Sequence, residues 1–433
     1  MDYFICKPGT GVKGSIRVPG DKSMSHRAVM LAAIAEGESH ISGFLQGEDS
    51  LNTIQAMQQL GVKIDRDGDR VVVQGVGLHG LARADGDLEM GNSGTAIRLL
   101  LGLLAGQSFD SRLVGDDSLC SRPMNRVINP LLSMGAVIES EDGGRAPLQI
   151  RGKHKLSAIE YDMPVASAQV KSCIILAALY AQGETIVREP APTRDHSERM
   201  LRGFGCDVIS DGAEIRIKGG QRLSACDIEV PADISSAAFF MVAASIGRDS
   251  EIILQHVGVN PTRTGVIDIL RLMGADITLS KQRDIGGEPV ADIRVRSAQL
   301  HGIDIPEDLV PLAIDEFPVI FIAAACAEGS TRLSGAQELR VKESDRIQVM
   351  ADGLVTLGID ARPTDDGILI EGGELGGGEV ESQADHRIAM AFSIASIRAR
   401  QEIRINNCTN VNTSFPGFAI LARETGIRIN IND

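Results

Sequence analysis

Two kinds of apolar run alternate along the chain. One kind is apolar around nearly its whole circumference, as in Arg27 to Ala35 and Val170 to Ala181, and reads as a buried helix rich in small side chains. The other is amphipathic, ends at a Gly, and leads into a short run of strand type. Its closing phrase recurs six times: LGVKI from Leu60, MGAVI from Met134, FGCDV from Phe204, MGADI from Met273, LGIDA from Leu357 and TGIRI from Thr425. The glycines, at 61, 135, 205, 274, 358 and 426, are 68 to 84 residues apart, so the chain reads as six diverged units of about 70 residues.

Within a unit the buried helix runs into a Gly-containing turn (Gly37, Gly106, Gly183, Gly247, Gly329) suited to a helix C-cap. A strand such as Glu184 to Val187 or Glu251 to Leu254 follows, then the amphipathic helix, the repeated Gly and a hairpin. The hairpin turn is expected at Arg66-Asp67-Gly68 in the first unit and around Asp211-Gly212 and Asp366-Gly367 in two others. The order is β-α-β-α-β-β. Six units divide into two domains of three, with sheets around buried helices, a boundary within residues 225–231 and a cleft between the halves.

Composition narrows the function. The 433 residues are 43% hydrophobic and 23% charged, which fits a folded protein and excludes a disordered one. With 43 basic against 58 acidic residues, a net charge of −15 and no Trp, neither nucleic acid nor an anionic membrane is an expected partner. The start of the chain lacks the pattern of a secretory leader, no apolar run reaches membrane-spanning length, and seven Cys without CxxC spacing read as thiols of a reducing compartment, so a cytoplasmic location is expected. Gly9-Thr10-Gly11-Val12-Lys13-Gly14 fits GxGxxG but precedes a strand instead of opening a helix, and the eight His show no i, i+4 metal pair. No metal and no cofactor are indicated.

Polar clusters gather at the helix starts. Before the buried helices stand Gly20 to Arg27, Gly91 to Arg98, Ala166 to Ser172, Ala232 to Ser236, Ala313 to Pro318 and Ala384 to Arg387; before the amphipathic ones stand Ser121-Arg122-Pro123, Thr193-Arg194-Asp195, Thr262-Arg263-Thr264 and Lys342 to Arg346. A Ser, Asp or Asn at such a place is commonly a plain N-cap. Capping needs no base, however, and the recurrence of Lys22, Arg27, Arg122, Arg194, Lys342, Arg346 and Arg387 in an acidic chain points to small, multiply charged anions held at helix N-termini.

The motifs GDKSMSHR (20–27), GNSGTAIR (91–98), SRP (121–123), SAQVKS (167–172), TRDH (193–196), IDEFP (314–318), LRVKESDR (339–346), ADHRIAM (384–390) and TSFPGF (413–418) resemble those of the 5-enolpyruvylshikimate-3-phosphate synthase family along essentially the whole chain. The resemblance implies a two-domain inside-out α/β barrel in which each domain holds three βαβαββ repeats, with lobes at 19–228 and at 1–18 plus 229–433 and the active site between them. It implies transfer of the enolpyruvyl group from phosphoenolpyruvate to the 5-hydroxyl of shikimate 3-phosphate, in a monomer whose partners are these two small molecules. By the same resemblance, shikimate 3-phosphate is held by Lys22, Ser23, Arg27, Ser167, Ala168, Gln169, Arg194, Asp315 and Lys342. Phosphoenolpyruvate is held by Lys22, Gly94, Arg122, Gln169, Arg346 and Arg387. Asp315 takes the hydroxyl proton, Glu343 donates to the methylene carbon, and Lys22 assists.

Ala168 and Thr413 depart from the best-known members, which carry Ser and Lys there, and with SAQVKS and TRDH they are similar to the family's second class, where Arg194 compensates for lost phosphate contacts. Two alternatives are open. A sister enolpyruvyl transferase acts on UDP-N-acetylglucosamine, but it resembles a Lys-Asn pair at the first motif, where this chain has Lys22-Ser23, and its reactive Cys lies farther from its Arg than Cys120 does from Arg122. An inactive anion-binding scaffold of the same fold is expected to have lost a carboxylate or an Arg, and none is missing.

Overall fold

The computed structural model describes residues 3–152 and 154–432. The chain forms two compact units. One is Gly20–Val230 with Ile285–Glu288; the other gathers the residues up to Pro19, Pro231–Asp284 and those from Pro289 onward.

The Gly20–Val230 unit carries three four-stranded sheets. In the first, Arg70–Val76 lies between Glu36–Ser42 and Lys63–Asp67, antiparallel to both, while Ile228–Glu229 joins the outer edge parallel to Glu36–Ser42. The other two sheets repeat this plan around Arg145–Arg151 and Glu214–Lys218. The last strand of the unit thus completes its first sheet. Period-two alternation sets the faces: Val71 and Val73 are buried while Val72 and Gln74 are half-buried.

The other unit also has three sheets, and there the chain start fills two gaps. Tyr3–Lys7 runs between Ile403–Asn406 and Arg428–Asn432, antiparallel to both, in the central place that another unit gives to its own hairpin strand. Lys13–Ile16 then pairs parallel with Glu251–Gly258. Among the described residues all six sheets are open, and the architecture is the expected two-domain α/β one with buried helices.

Three of the buried helices, Lys22–Ala33, Gly94–Ala105 and Ala168–Ala178, lie in the first unit; Ile234–Ile246, Phe317–Ala325 and His386–Ala395 lie in the second. Every residue of Ile234–Ile246 and of Phe317–Ala325 is buried, as a helix apolar on all faces requires. The helices start earlier than the apolar pattern alone suggests. Asp21 accepts from the Met24 N–H at 2.8 Å and Ser167 from the Val170 N–H, so the polar clusters form the caps and first turns instead of preceding them. The first hairpin turns at Gly68-Asp69, not at 66–68. Gly106 and Gly247 are C-caps, whereas Gly37, Gly183 and Gly329 lie farther on. The six repeated glycines all have left-handed φ, between 81° and 110°, which is why each repeat keeps a Gly where the amphipathic helix turns into its strand.

Gly102 shows how closely the inner helices pack: a Cβ there would stand 2.2 Å from the Cys173 carbonyl oxygen on the neighbouring helix. Gly102→Ala must push two helices apart and is expected to cost ~1–3 kcal/mol, read as a lower urea midpoint. An unchanged midpoint would contradict this packing.

Candidate active site

In the Gly20–Val230 unit the starts of the three buried helices are joined by side chains. Lys22, in the first turn of its helix, is ion-paired with buried Asp49. Arg27, one turn on and buried, donates to the Ser23 carbonyl at 2.9 Å, to Ser172 Oγ at 2.7 Å and to Ser197 Oγ at 2.8 Å. Ser172 in turn donates to the Ala168 carbonyl. Gln169 gives its amide N–H to Thr95 Oγ1 and takes a hydrogen bond from Arg98 Nη1 at 2.8 Å, and Arg98 also donates to the Gly94 carbonyl.

Gly94 opens its helix beneath the Ser93 cap, and a Cβ there would stand 2.8 Å from Arg98 Nη1 and 3.4 Å from Arg122 Nη1. Two guanidinium groups therefore approach the first turn of one helix, whose backbone end already favours anions. Arg122 donates to Asn92 Oδ1 at 2.7 Å, to the Asn92 carbonyl and to Ser118 Oγ at 3.0 Å. Among the described residues it meets no carboxylate, so its charge is oriented but not neutralised. Arg194 is half-buried just before the helix His196–Gly203.

His26 bridges two of these helix starts, with Nδ1 2.7 Å from Thr53 Oγ1 and Nε2 3.5 Å from Ser93 Oγ. Burial, reinforced by the nearby charges of Lys22 and Arg27, pushes its pKa down from 6.5 to about 3, so the ring is a neutral spacer at neutral pH.

The second unit concentrates opposite charges around Arg346, the first residue of the helix Arg346–Thr356. Its side chain is 1% exposed. Nε donates to Asp385 Oδ2 at 2.8 Å, Nη2 to Glu343 Oε2 at 2.5 Å, and Nη1 lies 3.4 Å from Asp315 Oδ1. Burial opposes the charge, yet Asp385, Glu343 and Asp315 together outweigh it and hold the guanidinium above its ordinary pKa. Asp385 is wholly buried, caps its own helix through the Arg387 N–H and accepts from Ser344 Oγ. Lys342 Nζ stands 3.3 Å from Asp315 Oδ1, and Arg387 donates to the Asp315 carbonyl at 2.9 Å. Asp315, Lys342, Glu343, Arg346 and Arg387 thus form one connected group.

A family model described as EPSP synthase (3-phosphoshikimate 1-carboxyvinyltransferase) matches residues 6–420. The chain belongs to the EPSP synthase family. The 3-phosphoshikimate 1-carboxyvinyltransferase of Alkalilimnicola ehrlichii is 63% identical over 435 residues, covering 100% of this chain and 97% of that protein. The enzyme of the same name from Nitrosococcus oceani is 62% identical, covering 98% and 96%. A solved EPSP synthase structure from Acinetobacter baumannii matches with a TM-score of 0.91 and 54% identity over 100% of both chains.

The residues that the EPSP synthase motifs single out fall into two groups. Lys22, Ser23, Arg27, Gly94, Arg122, Ser167, Ala168, Gln169 and Arg194 belong to one unit; Asp315, Lys342, Glu343, Arg346 and Arg387 belong to the other. Sequence reasoning passed over Arg98 and Asp385, although both stand inside quoted motifs as a base and an acid at helix starts. It also passed over Asp49, which shows only as one acid in the first turn of Glu48–Gln59. Thr413 donates its hydroxyl to the Asn410 carbonyl at 2.7 Å and so caps its own segment.

His26 links this site to pH. The unfolded chain takes up a proton on His26 below about pH 6.5 while the folded chain refuses it down to about 3, so stability falls as pH drops through that window. His26→Asn should flatten the dependence of the urea-unfolding free energy on pH between 6.5 and 4 by up to one proton. An equal slope in both proteins would contradict the buried neutral ring. Asp385→Ala leaves Arg346 buried without its principal partner and should cost about 3–5 kcal/mol of stability; a loss below 1 kcal/mol by chemical denaturation would refute that pairing.

Proposed function

We propose that the residues of these clusters bind shikimate 3-phosphate and phosphoenolpyruvate and that Asp315, Glu343 and Lys22 move the protons of the transfer. The chain is a carboxyvinyltransferase of the shikimate pathway to aromatic amino acids, the activity of its family. The observation that carries the residue assignments is the placing of Arg122 and Arg346, oriented guanidinium groups at helix starts. One meets no carboxylate among the described residues; the other is shared among three carboxylates.

The reaction joins the 5-hydroxyl oxygen to C2 of phosphoenolpyruvate, moves the hydroxyl proton away and adds a proton to the methylene carbon. Loss of phosphate then breaks the C2–O bond, and the new methyl group returns one proton to restore the double bond. Asp315 serves as acceptor of the hydroxyl proton and Glu343 as donor to carbon. Glu343 is tied to Arg346 at 2.5 Å. An incoming carboxylate or phosphate that takes over Arg346 Nη2 frees Glu343 to hold a proton, so binding and acid function are coupled. Lys22, paired with Asp49, faces the same exchange with a substrate oxygen. Serine and amide groups at Ser23, Ser167 and Gln169 and the backbone at Ala168 supply directional contacts to shikimate 3-phosphate, with Arg27, Arg194 and Lys342 matching its charge.

Both clusters come from one chain, so the reading needs no second copy, and we propose a cytoplasmic monomer. Its seven cysteines are free thiols, and burial pushes those of Cys6, Cys326 and Cys408 up to about 12, as packing groups of a reducing compartment. No helix among the described residues is long and apolar enough to cross a membrane.

Purified protein should release phosphate from phosphoenolpyruvate when shikimate 3-phosphate is present and not when UDP-N-acetylglucosamine replaces it. The opposite pattern would assign the sister activity. Asp315→Asn should lower kcat by ~10²–10⁴-fold with KM for shikimate 3-phosphate little changed, because a carboxamide keeps the shape but cannot take the proton. Arg387→Ala should raise KM for phosphoenolpyruvate, and an unchanged KM would remove it from that site.

A further inference from the structure

The segment 193–198 carries Arg194 and is tied down on either side of it. Thr193 donates its hydroxyl to Glu189, and its carbonyl accepts from Lys171 Nζ at 3.4 Å. His196 Nδ1 lies 2.8 Å from Glu288 Oε1, Ser197 Oγ accepts from Arg27 Nε and donates to Ser172 Oγ, and Glu198 Oε1 lies 2.7 Å from Lys171 Nζ. Lys171 is the shared anchor. It stands on the apolar helix Ala168–Ala178, its side chain is 1% exposed, and it reaches Glu189 at 3.0 Å as well as Glu198.

One ammonium faces two carboxylates in the interior, and among the described residues Glu198 Oε2 has no hydrogen-bond partner. As a device for stability this is poor, since a buried ion cluster is often matched or bettered by apolar side chains of similar volume. What the cluster supplies is direction: one nitrogen fixes Thr193 on one side of Arg194 and Glu198 on the other, while Ser172, the next residue of the same helix, and Ser197 fix Arg27.

We propose that Lys171, with Glu189 and Glu198, is a positioning residue for shikimate 3-phosphate: it holds the 193–198 segment so that Arg194 and Arg27 present their guanidinium groups to the phosphate. The proposal rests on the assignment of Arg194 and Arg27 to that substrate. Lys171 itself touches no substrate and acts through the segment.

The test is steady-state kinetics of Lys171→Met, Arg194→Ala and the double variant, with each substrate varied in turn. Lys171→Met should raise KM for shikimate 3-phosphate by about tenfold while KM for phosphoenolpyruvate stays within about twofold. In the double variant the two effects should be less than additive, because both remove the same contact. Should Lys171→Met not fold, Glu198→Gln keeps the shape and the Lys171–Glu189 pair, and it should move the same KM in the same direction by less. A raised KM in Arg194→Ala with no change in the folded Lys171 or Glu198 variants beyond a lower Tm, or fully additive effects, overturns the proposal alone. An unchanged KM in Arg194→Ala overturns the substrate assignment and the proposal with it.

Discussion

A helix that is apolar around its whole circumference has only its two ends left for polar chemistry. Six such helices form the interior of this chain, and among the described residues five have a side-chain cap at the start: Asp21, Ser93, Ser167, Asp233 and Asp385. Their free N–H groups favour negative charge at those ends. The sheets cover the apolar sides, the caps satisfy part of each first turn, and basic side chains gather where the backbone already attracts anions. Fold and function are therefore one constraint seen at two scales, since burying the helices is what confines the chemistry to their tips.

The bases at those tips are held by partners that differ in kind. Arg122 and Arg27 are oriented through hydroxyl, amide and carbonyl groups, which fix the direction of each guanidinium. Arg346 is instead embedded among carboxylates, two of which are the groups assigned to proton transfer. On the function proposed above, a ligand anion there exchanges with a protein carboxylate and alters its readiness to carry a proton. The formal charge of −15 on the chain is no obstacle, because the field that matters is local.

Much of this was legible in the residue order because it repeats. The recurrent Gly marks a left-handed helix end, the apolar runs mark buried helices, and bases beside Ser, Asn and Asp mark their starts. Element boundaries were less legible: the first turns of Lys22–Ala33 and Ala168–Ala178 are polar, so hydrophobic periodicity begins only after them. Asp49, Glu189 and Glu198 could not be found by pattern, because an isolated acid in the sequence carries no sign that it is buried against a Lys. The pairing of Tyr3–Lys7 within the last sheet left no local trace, since its strand partners lie hundreds of residues away, and only the family resemblance grouped residues 1–18 with 229–433.

The most direct test of the central claim is a crystal structure of the protein with shikimate 3-phosphate and a non-reactive phosphoenolpyruvate analogue. The account predicts phosphate and carboxylate oxygens at about 2.7–3.0 Å from the guanidinium groups of Arg27, Arg122, Arg194, Arg346 and Arg387, with Arg122 still on Asn92 and Arg346 still on Asp385. Ligands bound away from these helix starts, or reached only after Arg122 and Arg346 leave Asn92 and Asp385, would contradict it.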